Sequence, residues 1–296
     1  MNIGITGASG FIGQSIAGLA TRQGHHVVGF SRNPERRIAG CAQTRLFSPE
    51  EKLDLSGCQA VVHLAGENVF GLWTADKRKR ILESRRSTTR RVVDAMLNSS
   101  TPPKVLVCAS AIGYYGDTGE CETNESAPPG GGFLSEVTQI WEEEAERAAG
   151  QGIRVVKLRI SIVLGRQGGA LQRMLPIFRL GLGGRLGDGQ QWVSWIHQGD
   201  LSRLALFAIE DPRVEGILNA CAPEPVRNQE LTNDLAKVLH RPALFPVPAI
   251  LLRSVLGEFS RELLDSKRVV PKRALDYGFK FQYPTLETAL NEVVGR

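Results

Sequence analysis

Near the start of the chain, Gly7-Ala8-Ser9-Gly10-Phe11-Ile12-Gly13 has the residue types and spacing to hold a phosphate. It follows Asn2-Ile3-Gly4-Ile5-Thr6, which reads as a buried strand. It precedes an amphipathic segment that reads as a helix over 11–22, with Gly24 closing it as a C-cap. In such a strand–turn–helix unit the first glycine permits the tight turn. The second lets backbone approach a pyrophosphate, and the third lets the helix pack on the sheet. Free N–H groups and the helix dipole favour an anion at that end. Gly7, Ser9, Gly10, Phe11, Ile12 and Gly13 are thus candidate cofactor-binding residues, set against the plainer reading of a structural turn.

A second basic constellation follows the next predicted strand, Val27–Phe30. An acidic residue there would accept from a ribose 2′-hydroxyl, but the chain has Ser31-Arg32, with Arg36 and Arg37 close behind. A guanidinium at that point suits a 2′-phosphate through a charge-assisted contact. The expected cofactor is therefore NADP(H) rather than NAD; the alternative for Arg32 is a solvated loop arginine.

Further candidates sit at the ends of later strands. Ala60–Gly66 reads as a buried parallel strand ending in the small residues of Leu64-Ala65-Gly66, which let a ligand approach backbone. His63, inside that apolar run, reads as a packed core residue. A long helix over 76–98 repeats Ile81, Thr88, Val92 and Ala95 at helical spacing, with a basic remainder that reads as a solvated face; Arg85 falls near the apolar stripe. Val105–Ser110 is the next strand. Ser110 can hydrogen-bond a substrate carbonyl, and Tyr114 or Tyr115 can reach in as an acid. Against this, Ser110 can simply satisfy backbone groups and the tyrosines can simply pack. Arg159, on a strand over 153–160, and Arg185, in the glycine-dense loop Gly181–Gly189, are candidates to hold an anionic substrate. Trp192, Trp195 and His197 read as a pocket mouth or as ordinary core.

These elements alternate as β-α-β, the pattern of a Rossmann-type doubly wound parallel sheet, an α/β fold with a smaller, mostly helical C-terminal substrate or cap region. The expected division is residues 1–164, with core strands also from about 190–222, and an interleaved substrate-side region over 165–296 whose distinct C-terminal part spans about 245–296. Residues 41–58 read as irregular. A helix is expected over 134–151, another after Gly169 to about Leu180, and a strand over Trp192–His197. Asp200 is expected to N-cap a helix over 201–209. A strand over Gly216–Ala220, a helix over Asn228–Leu239 and a mostly helical tail to Val294 complete the chain.

Composition narrows the function. The net charge of +5 suits an anionic cofactor or substrate. It also suits nucleic acid, but no aromatic interleaving accompanies the basic residues, so no nucleic-acid partner is expected. Five scattered cysteines without a C-x-x-C pair suggest neither a disulfide framework nor a zinc site. No apolar run of about 18 residues is present and no signal-peptide pattern opens the chain. The expectation is a cytoplasmic monomer or homodimer, without metal or membrane, acting on a small molecule.

With these motifs in place, the chain resembles the extended short-chain dehydrogenase/reductase superfamily. The residues carrying the resemblance are Thr6 to Gly13, His63-Leu64-Ala65-Gly66, Ser110 with the following Tyr-Gly, Leu158-Arg159, and His197 with Asp200. It is similar in particular to an atypical subgroup called epimerase family proteins, through Leu64 to Asn68, Ser84-Arg85, Ser110 to Gly116, Trp141-Glu142, Gly181 to Gly184 and Ser194 to His197. Arg268-Val269-Val270-Pro271 resembles the subgroup's C-terminal domain of unknown function. The resemblance implies NADP(H) binding at Ser31, Arg32, Leu64, Ala65, Arg85 and Val163, and oxidoreductase or nucleotide-sugar epimerase/dehydratase chemistry. One departure stands out. The superfamily's usual tyrosine has a lysine four residues on, which lowers the phenol pKa. Here Tyr114, Tyr115, Tyr277 and Tyr283 are followed at that spacing by Thr118, Gly119, Phe281 and Glu287. The alternative expectation is a protein that binds NADP(H) as a redox sensor without hydride chemistry.

Overall fold

The computed structural model describes residues 1–49 and 51–295. Strands β1 (Asn2–Thr6), β2 (His26–Ser31), β3 (Gln43–Leu46), β4 (Ala60–His63), β5 (Val105–Ala111) and β6 (Arg154–Ile160) come from the first 160 residues of the chain. They are joined by helices α1 (Phe11–Arg22), α2 (Ala75–Leu97) and α3 (Phe133–Glu146). The second half adds β7 (Ile162–Gly165), α4 (Gly169–Arg179), β8 (Trp192–Val193), β9 (Trp195–His197), α5 (Gln198–Glu210), β10 (Gly216–Ala220), β11 (Val226–Arg227) and α6 (Asn228–Leu239). Four short helices end the chain: α7 (Ala249–Leu256), α8 (Arg261–Leu264), α9 (Lys272–Asp276) and α10 (Leu286–Val294).

The main sheet has seven parallel strands in the order β10-β6-β5-β4-β1-β2-β3. Alternation along each strand divides its side chains between two faces. Ile3, Ile5, Val105 and Val107 join α1 and α5 residues such as Ile16 and Leu204 on one side. Leu106 and Cys108 join Val92, Met96 and Trp141 of α2 and α3 on the other. Helices on both faces explain why these strands read as nearly continuous apolar runs. A third apolar cluster gathers α4, α6 and α10 around Trp195.

The strand order reverses between β1 and β4, because β1 pairs with β2 on one side and β4 on the other. A crevice opens at the carboxyl ends of strands at such a point. It brings the turn after Thr6 against the turn after His63. A Cβ on Gly7, whose φ is +70°, would lie 2.9 Å from the Leu64 carbonyl carbon.

Several local expectations are corrected. Residues 43–46 form the edge strand β3, beside β2; their burial is only partial, so no apolar alternation marked them. The inward face of α2 is Ile81, Arg85, Thr89, Val92, Val93 and Met96, one residue round from the stripe through Thr88 and Ala95. Helix α3 ends at Glu146, and a 3₁₀ turn covers Ala149–Gln151. Asp200 is not the N-cap of α5. His197 takes that place, its Nδ1 accepting from the Gly199 N–H, while the buried Asp200 accepts backbone N–H bonds from Gln282 and Tyr283 at 2.9 and 2.8 Å. The carboxylate thus pins the tail to α5. The mostly helical tail consists of four short, separated helices.

Candidate active site

A cleft of about 500 Å³ lies over the crevice at the ends of β1 and β4. Its floor is Gly7, Gly10, Phe11, Ile12 and Gly13, with Leu64 and Gly66 from the end of β4, Ser110 from β5 and Val163 from β7. Gly10 is the N-cap of α1 in extended conformation, so the helix start faces this space without an acidic side chain in its first turn. A Cβ on Gly13 would lie 2.3 Å from the Gly7 carbonyl oxygen, so close helix–strand packing requires this glycine. Gly10 differs: its nearest neighbour would be 3.2 Å away. Protein packing alone therefore asks less of Gly10 than of Gly13, and backbone exposed toward the cleft is what its small size provides. The loop Gly165 to Gly169 is explained locally, since Cβ atoms at Gly165 and Gly168 would fall within 2.6 Å of the Phe11 ring.

Arg85 reaches the same cleft from α2 and is 9% exposed. Its Nη1 donates to the Glu67 carbonyl at 2.5 Å and to Ser84 Oγ at 3.2 Å, and its guanidinium stands 5.2 Å from the Trp141 ring. Burial pulls its pKa down to about 10 while the Glu67 charge acts the other way. It remains a cation at neutral pH. Ser9, Ser31, Arg32 and Ala65 are not among the lining residues. Ser9 and Ala65 neighbour the floor in sequence, Ser31 ends β2 with its Oγ accepting from the Asn33 N–H, and Arg32 is exposed just beyond.

Ser110 sits in a buried polar chain. Its Oγ donates to Glu142 Oε1 at 2.6 Å. Glu142, on α3, is held by two hydrogen bonds of 2.8 Å from Arg159 Nε and Nη2. Arg159 Nη1 donates to the Tyr115 hydroxyl at 2.9 Å, which donates to Asn219 Oδ1 at 2.7 Å. Burial opposes the charge on Arg159, but the Glu142 bonds and charge outweigh it and hold the guanidinium above the usual arginine range. Burial pushes the Tyr115 phenol up to about 12, against the pull of Arg159 and Asn219.

Most of the residues expected to contact substrate stand outside the cleft lining. Arg159 is 1% exposed and spends its donors on Glu142 and Tyr115. Trp195 is fully buried among α4, α6 and α10, its indole N–H donating to the Glu224 carbonyl. Arg185 is exposed, donates to Gln229 and does not line the cleft. Tyr114 also lies outside the lining, packed edge-on to Tyr115 beneath the Arg159 guanidinium at 3.3 Å. His63 is fully buried, with Thr6 Oγ1 at 2.6 Å and Thr89 Oγ1 at 3.0 Å from its ring nitrogens, and burial lowers its pKa to about 3.

The sequence reading missed the α3 wall. Leu134, Val137, Thr138 and Trp141 line the cleft together, and their spacing of three to four residues was the available signal. Asn68 and Val69, on the loop after β4, line it as well.

Comparison with known proteins places this architecture. The profile described as "NAD dependent epimerase/dehydratase family" matches residues 3–221. The chain belongs to that family. Residues 247–293 match a separate domain of unknown function, DUF1731. This family member is 37% identical to "Epimerase family protein YfhF" of Bacillus subtilis, over 99% of this chain and 98% of that protein. It is 36% identical to human "Epimerase family protein SDR39U1", over 99% of this chain and 100% of that one. A crystal structure of human SDR39U1 (isoform 2) with NADPH superposes with a TM-score of 0.93 at 35% identity, covering 99% of each chain. A nucleoside-diphosphate sugar epimerase from Corynebacterium glutamicum gives 0.79 at 29% identity, over all of this chain and 58% of that one. Among the described residues lining the cleft, the one ionisable side chain is Arg85.

Proposed function

We propose that the cleft binds NADP(H), with Arg32 taking the 2′-phosphate, and that Ser110 orients a substrate oxygen for oxidoreductase or epimerase-like chemistry. The observation that carries this reading is the glycine turn opening α1, which forms the cleft floor at the reversal of strand order. The human relative crystallised with NADPH supports the same cofactor. Gly10 leaves room for a pyrophosphate, and the α1 N-terminus supplies donors of the matching sign. Arg85 adds fixed positive charge. When bound, the nicotinamide supplies a hydride donor or acceptor.

The chain's own part is orientation. Glu142 accepts the Ser110 proton, and Arg159 holds Glu142 from two sides, so Ser110 presents lone pairs in a set direction. A hydroxyl held in this way accepts from a substrate alcohol, or donates to a carbonyl after rotating off Glu142. Tyr115, raised to about 12 and committed to Asn219, keeps its proton at neutral pH and does not serve as a base.

A second reading, NADP(H) binding without turnover, is favoured by the absence of Tyr, Lys, His, Asp and Glu among the described lining residues. Titration with NADPH and NADH, followed by a carbonyl panel on the NADPH complex, separates the two. Oxidation of NADPH by any member supports the enzyme; tight binding with no oxidation across the panel supports the sensor. Arg32→Ala should weaken NADPH by about 10- to 100-fold and leave NADH little changed. Equal effects on both would remove Arg32 from the 2′-phosphate.

A further inference from the structure

Beyond the floor, much of the cleft wall is apolar, beside the polar Asn68, Arg85, Thr138 and Ser161. Val69, Leu134, Val137, Trp141 and Ile160 line it, and Val69, Leu134 and Val137 continue into the apolar cluster around Ile81 and Phe133. Of the cations near the cleft, Arg85 lines it but is committed to the Glu67 carbonyl and Ser84, Arg159 is enclosed by Glu142 and Tyr115, and Arg185 lies outside the lining. The loop that brings Val69 into the cleft then turns outward as Phe70 and Leu72, exposed by 41% and 57%. Phe70 packs edge-on against Phe259 at 5.1 Å. Leu72 abuts Gly257, at the end of α7, a helix that buries none of its residues despite the sequence Ala-Ile-Leu-Leu-Arg-Ser-Val-Leu. Val69 in the cleft wall is thus followed in the chain by an exposed apolar patch, with the Arg173 guanidinium 3.7 Å from the Phe70 ring.

We infer that the second ligand of this cleft is an uncharged, lipophilic carbonyl compound or its alcohol, with its polar end at Ser110 and its apolar chain along Val69, Leu134 and Val137 toward Leu72. The inference rests on the NADP(H) reading and deepens it by naming the substrate class. A diphosphate along that wall would lie against hydrocarbon, with Arg85, already bonded to the Glu67 carbonyl and Ser84, as the one cation among the described lining residues, which is costly. An aliphatic chain there would instead gain from leaving water. Reduction of such a carbonyl adds one hydride from NADPH to its carbon and one proton, drawn from solvent, to its oxygen, giving the alcohol as one NADPH becomes NADP⁺.

The test starts from full-length protein saturated with NADPH, with binding confirmed by titration before any probe is added. Failure at that stage would count against the cofactor reading alone. Butanal, hexanal, octanal and decanal, with UDP-glucose as the anionic comparison, are then followed by tryptophan quenching and by loss of NADPH absorbance. The expected result is affinity that tightens by up to about fourfold per added methylene until the wall is covered, and no saturable binding of UDP-glucose. Leu134→Gln, and separately the exposed Leu72→Ser, should each weaken decanal several-fold more than butanal. Chain-length-independent aldehyde binding, no aldehyde binding, or saturable UDP-glucose binding would each overturn the inference.

Discussion

Ser110, Glu142 and Arg159 form a unit, because the hydroxyl proton, the carboxylate and the guanidinium are each committed to the next group in line. Both members of the ion pair are more than nine-tenths buried. Removing one leaves the other charged in a poorly solvating interior, a loss of about 3–5 kcal/mol. Arg159→Met should therefore lower stability by that order in urea unfolding. The double variant with Glu142→Leu should cost less than the sum of the singles, and strict additivity would show that the two do not act as a pair. Ser110→Ala makes a different prediction. Removing the hydroxyl frees Glu142 of one donor but leaves Arg159 in place, so the fold and NADPH affinity should persist while turnover of any substrate disappears. Retained turnover would remove Ser110 from the chemistry.

At the scale of the element, the turn between β1 and α1 separates structural from binding demands. Gly13 faces backbone: a Cβ there would stand 2.3 Å from the Gly7 oxygen and 2.7 Å from the Ala8 Cα, and neither neighbour can yield as a side chain would. Gly13→Ala should destabilise the protein by about 1–3 kcal/mol, seen as a lower melting temperature without any cofactor. Gly10→Ala meets only the Gly7 oxygen at 3.2 Å. Its melting temperature should stay close to that of the parent, while NADPH affinity falls about tenfold or more through loss of close backbone approach. Equal melting-temperature losses in the two variants would mean that both glycines serve packing alone. Much of this element was legible in the sequence, because strand, turn and helix are local and their signals adjoin. The edge strand β3 was not legible, since its pairing with β2 and not its own pattern makes it a strand.

For the whole molecule, His63 links the sheet to acid stability. Burial, followed by the Arg85 charge, lowers its pKa to about 3, against about 6.5 in an unfolded chain. The unfolded state therefore takes up a proton below pH 6.5 that the folded state refuses until about pH 3. Its contribution to stability is full above pH 6.5 and is lost progressively as the pH falls through that window. Melting temperature measured from pH 7.5 to 5 should drop on the acid side, and His63→Gln, which keeps a polar group between Thr6 and Thr89, should flatten that slope. An unchanged slope would assign the acid sensitivity to other groups. Among the described residues, no helix is long and apolar enough to cross a membrane.

The sequence by itself determined the strand–turn–helix opening, the parallel sheet with helices on both faces, the core placement of His63 and the family, because periodicity, turn glycines and motifs act over short stretches of chain. Tertiary structure decided what those stretches meet. Asp200 looked like a cap from its neighbours, yet it binds backbone 82 and 83 residues away. Arg159 looked like a free cation on a strand, yet Glu142, from α3, encloses it. The α3 wall became a cleft wall only because β4, β5 and β7 deliver Leu64, Ser110 and Val163 opposite it. Which charges are neutralised and which surfaces face one space depend on partners distant in sequence, and it is the order of the strands that brings those partners together.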